Sequence, residues 1–206
     1  GVVYAAISSN CVNKGIWRSP DGETWTKIID GNFPLVYDRI ALGVNPNNED
    51  EVYCIAVNTT GFGQFTNVFF GGTTWTSLWK YNYLSGDGSG TGALWTDLSA
   101  NIPANQATTF DNFNAQGSYD LMIKVHPTDQ NTVFIGGTNL WRSTDGFTSP
   151  NNTIICGGYL IGSYEGDGNW GVYPNHHPDQ HDLLFLPSDN NVMLSATDGG
   201  IFRSED

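Results

Sequence analysis

The sequence predicts an all-β protein made of repeated antiparallel units, and three observations support this fold class. Charged residues are only 14% of the 206 residues, whereas aromatic residues are 13% and 25 residues are glycine. This balance is typical of short strands joined by turns rather than of solvated helices. A short phrase also occurs three times, as IWRSPDG at 16–22, LWRSTDG at 140–146 and IFRSED at 201–206. Such repetition indicates that each unit is part of a larger architecture.

A second repeated block precedes the phrase. It reads as an aspartate, an apolar strand, a polar turn with proline and a second apolar strand, at 38–56, 120–137 and 182–196. The phrase then supplies a third strand, and a turn leads to a fourth, as in ETWTKII at 23–29 and ALWTDLS at 93–99. Four antiparallel strands in each repeat predict the blades of a β-propeller.

The repeats divide the chain into four segments of one propeller domain. We expect a partial blade at 1–35, full blades at 36–100 and 101–160, and a partial blade at 161–206. In the second segment the phrase is degenerate, and we assign it to NVFFGGTTWTSL at 67–78. About three and a half blades do not close a ring, so we expect an excerpt of a larger propeller that continues in further blades of the same chain. The alternative is a ring that closes with partner chains.

Charge and cysteine spacing exclude several classes of function. The net charge of -13 would repel phosphate backbones, so we expect no nucleic-acid partner. No run approaches the roughly 20 apolar residues that span a bilayer, so we expect no membrane insertion. The three cysteines include no CxxC pair, which argues against a zinc site or a dense disulfide framework.

The first copy of the phrase continues into a longer motif, Ser-x-Asp-Gly followed by Thr-Trp, formed by Ser19, Asp21, Gly22, Thr24 and Trp25. This motif resembles the Asp-box or BNR repeat of sialidases, sortilin-type receptor domains, xyloglucanase-type glycoside hydrolases and secreted bacterial surface propellers. The second copy keeps Ser143, Asp145 and Gly146 but has Ser149 where the family has Trp. The resemblance implies an extracellular or cell-surface propeller whose boxes lie away from the substrate face.

The box motif predicts a structural role within its own hairpin. The aspartate can accept backbone N–H bonds of the turn, and glycine can take positive φ there. Trp25 would then cover the turn with its apolar ring. Sialidases bind their substrate's carboxylate with three arginines, but three of the four arginines here belong to the repeated phrase. We therefore expect no sialidase site.

One aspartate stands at the start of each predicted innermost strand, at Asp38, Asp120 and Asp182. The three should point to one rim, where we expect each to bond backbone N–H groups of the neighbouring loop. Two of them could instead serve as the acid and base of glycoside hydrolysis, if they lie about 5 to 9.5 Å apart. A ring of carboxylates could also bind a cation.

Three of the four histidines lie in NHHPDQHD at 175–182. Imidazole and carboxylate groups are good ligands for divalent cations, so His176, His177, Asp179 and His181 form a candidate metal site. Their spacing does not follow HExxH, and hydrogen-bonded rim histidines are the favoured interpretation. No other cofactor is expected.

Two long inserts, 80–92 and 157–175, place aromatic residues among glycine and aspartate. Aromatic rings beside carboxylates suit sugar rings, so five residues are candidate carbohydrate contacts: Tyr81, Tyr83, Tyr164, Trp170 and Tyr173. The sequence favours a protein- or glycan-binding propeller without catalysis. The alternatives are part of a xyloglucanase-type glycoside hydrolase and a metal-binding surface protein.

Overall fold

The computed structural model describes residues 1–8, 11–58, 61–67, 73–104, 112–160 and 171–205. Within these ranges the regular structure consists of strands and single 3₁₀ turns. The prediction of an all-β fold is therefore confirmed.

The described strands form four antiparallel sheets. The first sheet has the order β1 (Val3–Ile7), β2 (Gly15–Ser19) and β3 (Thr26–Lys27). The second contains β4 (Arg39–Asn45), β5 (Asn48–Asn58), β6 (Gln64–Asn67), β7 (Thr73–Tyr83) and β8 (Ala93–Asp97), in the order β4-β5-β7, with both β6 and β8 on the far edge of β7. The third has the order β9 (Met122–Val125), β10 (Val133–Gly136), β11 (Leu140–Ser143) and β12 (Thr153–Gly157). The fourth has the order β13 (Gln180–Leu186), β14 (Asp189–Thr197) and β15 (Gly200–Ser204).

Each sheet falls inside one of the four segments predicted from the repeats, but the assignment of a box to 67–78 is wrong. Residues 73–78 belong to β7, which pairs with β5 in the interior of the second sheet. The hairpin in the position of a box is instead 84–92, between β7 and β8. The motif GTTW misled the assignment because the same letters also suit a strand rich in Thr and Trp.

Strand β5 shows how the sheets stack. Tyr53 and Ile55 are buried in one hydrophobic core with residues of the third sheet. Val52 and Cys54 are buried in another core with residues of the first sheet. Successive side chains of a strand point to opposite faces, so the second sheet is covered on both faces by its neighbours in sequence.

The third sheet repeats this arrangement. Val133 and Ile135 of β10 pack toward the second sheet, whereas Phe134 packs with Leu183 of the fourth. The first strands of these sheets also lie side by side, because β4 contacts β9 and β9 contacts β13. The four sheets therefore form a series in which each buries its faces against the next.

The first box closes the hairpin between β2 and β3. The Asp21 carboxylate accepts hydrogen bonds from the backbone N–H groups of Thr24 and Glu23, at 2.7 and 2.8 Å. These two bonds are the main cause that lowers the pKa of Asp21 to about 2. Gly22 has a φ of 81°. Trp25 is 38% exposed and lies in an apolar patch with Trp17.

In the second box, between β11 and β12, the serine accepts a backbone N–H of the turn, as Ser19 does in the first box. The Ser143 hydroxyl accepts the Phe147 N–H at 2.9 Å and donates to the Asp145 carboxylate at 2.8 Å. The other Asp145 oxygen accepts from Asn152. Gly146 has a φ of 66°, and its N–H donates to the Asn131 carbonyl. Burial favours a higher pKa for Asp145, but the hydrogen bonds from Asn152, Ser143 and Thr148 together outweigh it and lower the pKa.

Candidate functional site

The segments that lead into β9 and β13 converge at one end of the third and fourth sheets. Antiparallel strands alternate in direction, so this end also holds the turn between β14 and β15, and the box hairpins lie at the opposite end. Three non-glycine residues here have left-handed backbone conformations: Gln116 with φ 47°, Ser118 with φ 79° and Asp179 with φ 67°. Such conformations cost free energy and are often found at functional sites.

A pair of carboxyl groups lies at the centre of this region. The Asp120 side chain has no solvent-exposed surface, and neither of its carboxyl oxygens has an N–H or hydroxyl donor among the described residues. The carboxyl of Asp179 lies close enough to interact with it electrostatically. Burial first, and then the Asp179 charge, raises the pKa of Asp120 to about 8. Burial also raises the pKa of Asp179. The two carboxyls therefore hold one proton between them at neutral pH.

Three more exposed side chains cover this pair. His181 Nε2 lies 2.5 Å from Asp198 Oδ1, and the Tyr119 hydroxyl donates to the same oxygen at 3.2 Å. The Tyr119 and His181 rings meet edge to face at 5.3 Å between centroids. His181 Nδ1 is 4.0 Å from Asp120 Oδ1, which is beyond hydrogen-bond distance. The bond from His181 is the main cause that lowers the pKa of Asp198.

We call Tyr119, Asp120, Asp179, His181 and Asp198 the entry cluster. Its outer face is open to solvent, since Tyr119 is 54% exposed and the Asp198 side chain 38% exposed. Its inner face is the shared-proton pair. The cluster thus combines a protonated acid, an ionised carboxylate, an imidazole and an exposed aromatic ring.

Arg39, at the start of β4, supports the segment that carries the cluster. Its guanidinium donates to the carbonyl oxygens of Tyr119 at 2.6 Å and Ser118 at 3.2 Å. The second sheet therefore holds the left-handed segment before β9 in place through two backbone contacts.

The predicted rim of equivalent aspartates is not formed. Asp38 is exposed, and its backbone N–H donates to Val57. Asp182 is exposed beside Lys124, with 3.8 Å between Oδ1 and Nζ. Asp182 lies inside β13, next to a register shift between Gln180 and Asp182. Asp120, in contrast, lies before the first residue of its strand, β9. The bulge displaces Asp182 from the position that sequence alignment gave it, so only Asp120 joins a carboxyl pair. The expected bonds from backbone N–H groups to the carboxyl are absent at Asp120 among the described residues.

The four candidate metal ligands do not converge on one point. His176 Nε2 lies 3.1 Å from the Ser195 hydroxyl, and His177 Nδ1 lies 2.8 Å from the Pro178 carbonyl. Asp179 and His181 belong to the entry cluster. In the part of the chain that the structure describes, no three His, Cys, Asp or Glu side chains are placed to hold a metal ion.

Two of the candidate carbohydrate contacts serve the fold instead. Tyr81 is 1% exposed and donates to the Gly88 carbonyl, so a ligand cannot reach it. Tyr83 is half-buried under the Arg18 guanidinium, 4.0 Å from its ring. Tyr173 is half-buried and bonds the Gly158 carbonyl through its backbone. Tyr164 and Trp170 lie outside the described residues.

Sequence reasoning missed Tyr119, Asp198 and Arg39. Tyr119 directly precedes a residue that was singled out, and Asp198 lies in the turn sequence TDGG between two strands. The turn is a recognisable signal, but which side chains meet there depends on the packing of two sheets.

Comparison with known proteins adds no assignment, since no protein-family model and no curated protein matches the chain. Among the described residues, no helix has the length and apolar character needed to cross a bilayer.

Proposed function

We propose that this chain is part of a secreted or cell-surface Asp-box β-propeller that binds glycans through the entry cluster. The series of face-packed antiparallel sheets, with first strands side by side, supports a blade arrangement. The hydrogen-bonded turns at Asp21 and Ser143 support a structural role for the boxes.

The observation that carries the binding proposal is the composition of the cluster's exposed face. The Tyr119 ring gives an apolar surface for a pyranose face, and Asp198 and His181 offer hydrogen-bond partners for hydroxyl groups. A carboxylate anchored by two side chains is already held in place, which reduces the entropy cost of binding.

A glycan array followed by titration calorimetry tests this proposal. We expect a neutral glycan ligand whose affinity falls about tenfold or more in Tyr119→Ala and in Asp198→Asn, through loss of stacking and of a charged hydrogen bond. Phe65→Ala and Asp182→Asn are matched controls, because they remove an exposed ring and an exposed carboxylate elsewhere. No glycan bound, or equal binding by Tyr119→Ala, would refute the proposal, as would capture of a protein ligand at this face.

A glycoside hydrolase of the xyloglucanase type is the second candidate, and one observation favours it. Asp120 keeps a proton at neutral pH, as a general acid must, while the lowered pKa of Asp198 keeps that carboxylate ionised. Because Asp120 has no exposed surface, it would have to open toward substrate.

Hydrolysis of soluble β-glucans tests this second candidate. We expect a rate lower by about a hundredfold or more in both Asp120→Asn and Asp198→Asn if they supply the acid and the base. Asp182→Asn should keep the full rate. Hydrolysis that is absent, or unchanged in the two variants, would exclude this activity.

A further inference from the structure

A second concave surface lies where the segment between β3 and β4 passes beside β7 and β8 of the second sheet. It is a cavity of about 690 Å³, and the residues that line it lie between Gly31 and Asp97. We call it the aromatic cavity because its lining includes four aromatic rings, those of Phe33, Phe62, Trp79 and Trp95. It shares no residue with the entry cluster.

The four rings pack on one another and form an apolar wall. The Phe33 centroid lies 5.7 Å from that of Trp79 and 5.9 Å from that of Trp95. The Phe62 ring stacks on Trp79 at 6.2 Å. Trp95 Nε1 donates to the Ile28 carbonyl at 2.8 Å, which fixes the indole. Phe33 and Trp79 are buried and support the wall, whereas the half-buried Phe62 and Trp95 rings supply its accessible part.

The segment 31–36 forms another wall, and side chains outside it hold it in place. The Asp30 carboxylate accepts the Asn32 N–H at 2.7 Å. Lys14 Nζ donates to the Leu35 carbonyl at 2.8 Å, although the Leu35 side chain is 69% exposed. Because both walls are already fixed, binding here would cost little conformational entropy.

Two exposed polar side chains, Asp97 and Asn32, also line the cavity. Asp97 Oδ1 accepts the backbone N–H of Ser99 at 2.9 Å and its hydroxyl at 2.5 Å. No described residue donates to Asp97 Oδ2. The carboxylate is therefore held in one orientation and keeps an oxygen for a ligand. Among the described residues that line the cavity none is basic, so the lining offers no counter-charge to an anionic ligand.

These groups select among ligand classes. A purely apolar ligand would cover the Asp97 carboxylate without giving it a hydrogen-bond donor, which is costly. A neutral sugar has C–H faces that pack on aromatic rings and hydroxyl groups that donate to a carboxylate. The same hydroxyl groups can accept from the Asn32 amide. The volume also lies within the range of roughly 300 to 1,000 Å³ that small-molecule sites occupy.

We propose that the aromatic cavity binds a neutral saccharide, with a sugar ring against Trp95 and its hydroxyl groups donating to Asp97. This is a second saccharide site, formed by the first and second sheets. It does not depend on the glycan proposed for the entry cluster, because different side chains line it.

Titration calorimetry with three neutral tetrasaccharides, cellotetraose, xylotetraose and mannotetraose, tests the proposal. We expect at least one to bind and its affinity to fall about tenfold or more in Asp97→Asn, which removes the charged acceptor. The asparagine oxygen can still accept from Ser99, so the variant should keep its fold, verified by circular dichroism. Asp87→Asn is the matched control, since Asp87 Oδ1 accepts the N–H and hydroxyl of Ser89 in the same way outside the cavity.

A second pair of variants tests the ring. Trp95→Phe should weaken binding about threefold or more, because the smaller ring offers less surface to the sugar. Trp75→Phe is its control, since Trp75 is also half-buried in the second sheet but packs on Phe65 outside the cavity. Tyr119→Ala and Asp198→Asn should leave this binding intact, so failure here and failure at the entry cluster are distinguishable.

Four results would overturn the inference. Binding of none of the three tetrasaccharides would exclude a neutral saccharide site. Undiminished binding by a folded Asp97→Asn sample, or loss in Tyr119→Ala instead, would place the sugar elsewhere. Equal binding of benzyl alcohol at the same concentration would show an apolar cavity without saccharide recognition. Equal binding of tetramethylammonium would show that the rings and the carboxylate select a cation.

Discussion

Asp120→Asn is expected to remove a pH dependence of stability that the unmodified protein shows between about pH 6.5 and 8. The asparagine amide is uncharged at any pH and can donate a hydrogen bond, as a protonated carboxyl can, so the variant has no proton to lose at this position. In the unmodified protein the buried carboxyl pair must either lose its proton or keep it while the free energy of unfolding falls as pH rises. In this window the unmodified protein should lose roughly 1 to 2 kcal/mol of unfolding free energy relative to the variant.

The sign follows from proton counts in the two states. The pKa of Asp120 is about 8 in the folded protein, against roughly 3.9 for an exposed aspartate. Between these values the folded state binds more protons than the unfolded state, so stability falls as pH rises. Burial lowers the pKa of His176, which gives the opposite slope, but that contribution ends near the ordinary histidine pKa of about 6.5.

Urea unfolding at several pH values, followed by tryptophan fluorescence, measures this difference. Asp182→Asn is the control, since it removes an exposed carboxylate and should run parallel to the unmodified protein. Parallel curves for Asp120→Asn and the unmodified protein above pH 6.5 would mean that the carboxyl pair does not share a proton.

The sheets could be predicted from the sequence because their signal is local. Each strand of the repeated block carries apolar residues over four to eight positions, and its turn carries proline and aspartate. The continuous apolar run Val52, Tyr53, Cys54 and Ile55 predicts a strand that is buried on both faces. The extra strand β6 was not predicted, and it lies directly before the segment that was assigned to a degenerate box.

The entry cluster could be predicted only in part because it is not local. Asp120 and Asp179 were each singled out, for different roles, but nothing in one sequence shows that they meet. Their approach depends on left-handed residues before β9 and β13 and on a bulge that moves Asp182 aside. A repeat-based alignment assumes equal register in every unit, and such irregularities break that assumption.

The box hairpin between β11 and β12 contributes to the stability of the fold, and Ser143→Ala should show it. The Ser143 side chain is fully buried, and its hydroxyl accepts the N–H of Phe147 at 2.9 Å. Alanine leaves that buried N–H without its acceptor and frees the Asp145 carboxylate from one donor. The expected loss is about 2 kcal/mol of unfolding free energy.

Loss of the Ser143 hydrogen bond should also affect the contact between the second and third sheets, because Phe147 lies in their shared core. Its ring is fully buried in the core shared by the second and third sheets, although its φ of 59° is left-handed. The Ser143 bond fixes that conformation, and Asn101 donates to the Phe147 carbonyl at 2.7 Å. Loss of the serine therefore loosens the contact between two sheets.

Thermal and urea unfolding of Ser143→Ala and Ser149→Ala, measured side by side, test this role. Ser149 lies in the same hairpin, but its hydroxyl accepts a single exposed bond from the Asn151 N–H. Its replacement should cost about 0.5 kcal/mol. If the two variants lost equal stability, the serine of the box would be an ordinary turn residue, and the repeated phrase would owe its recurrence to something other than holding adjacent sheets together.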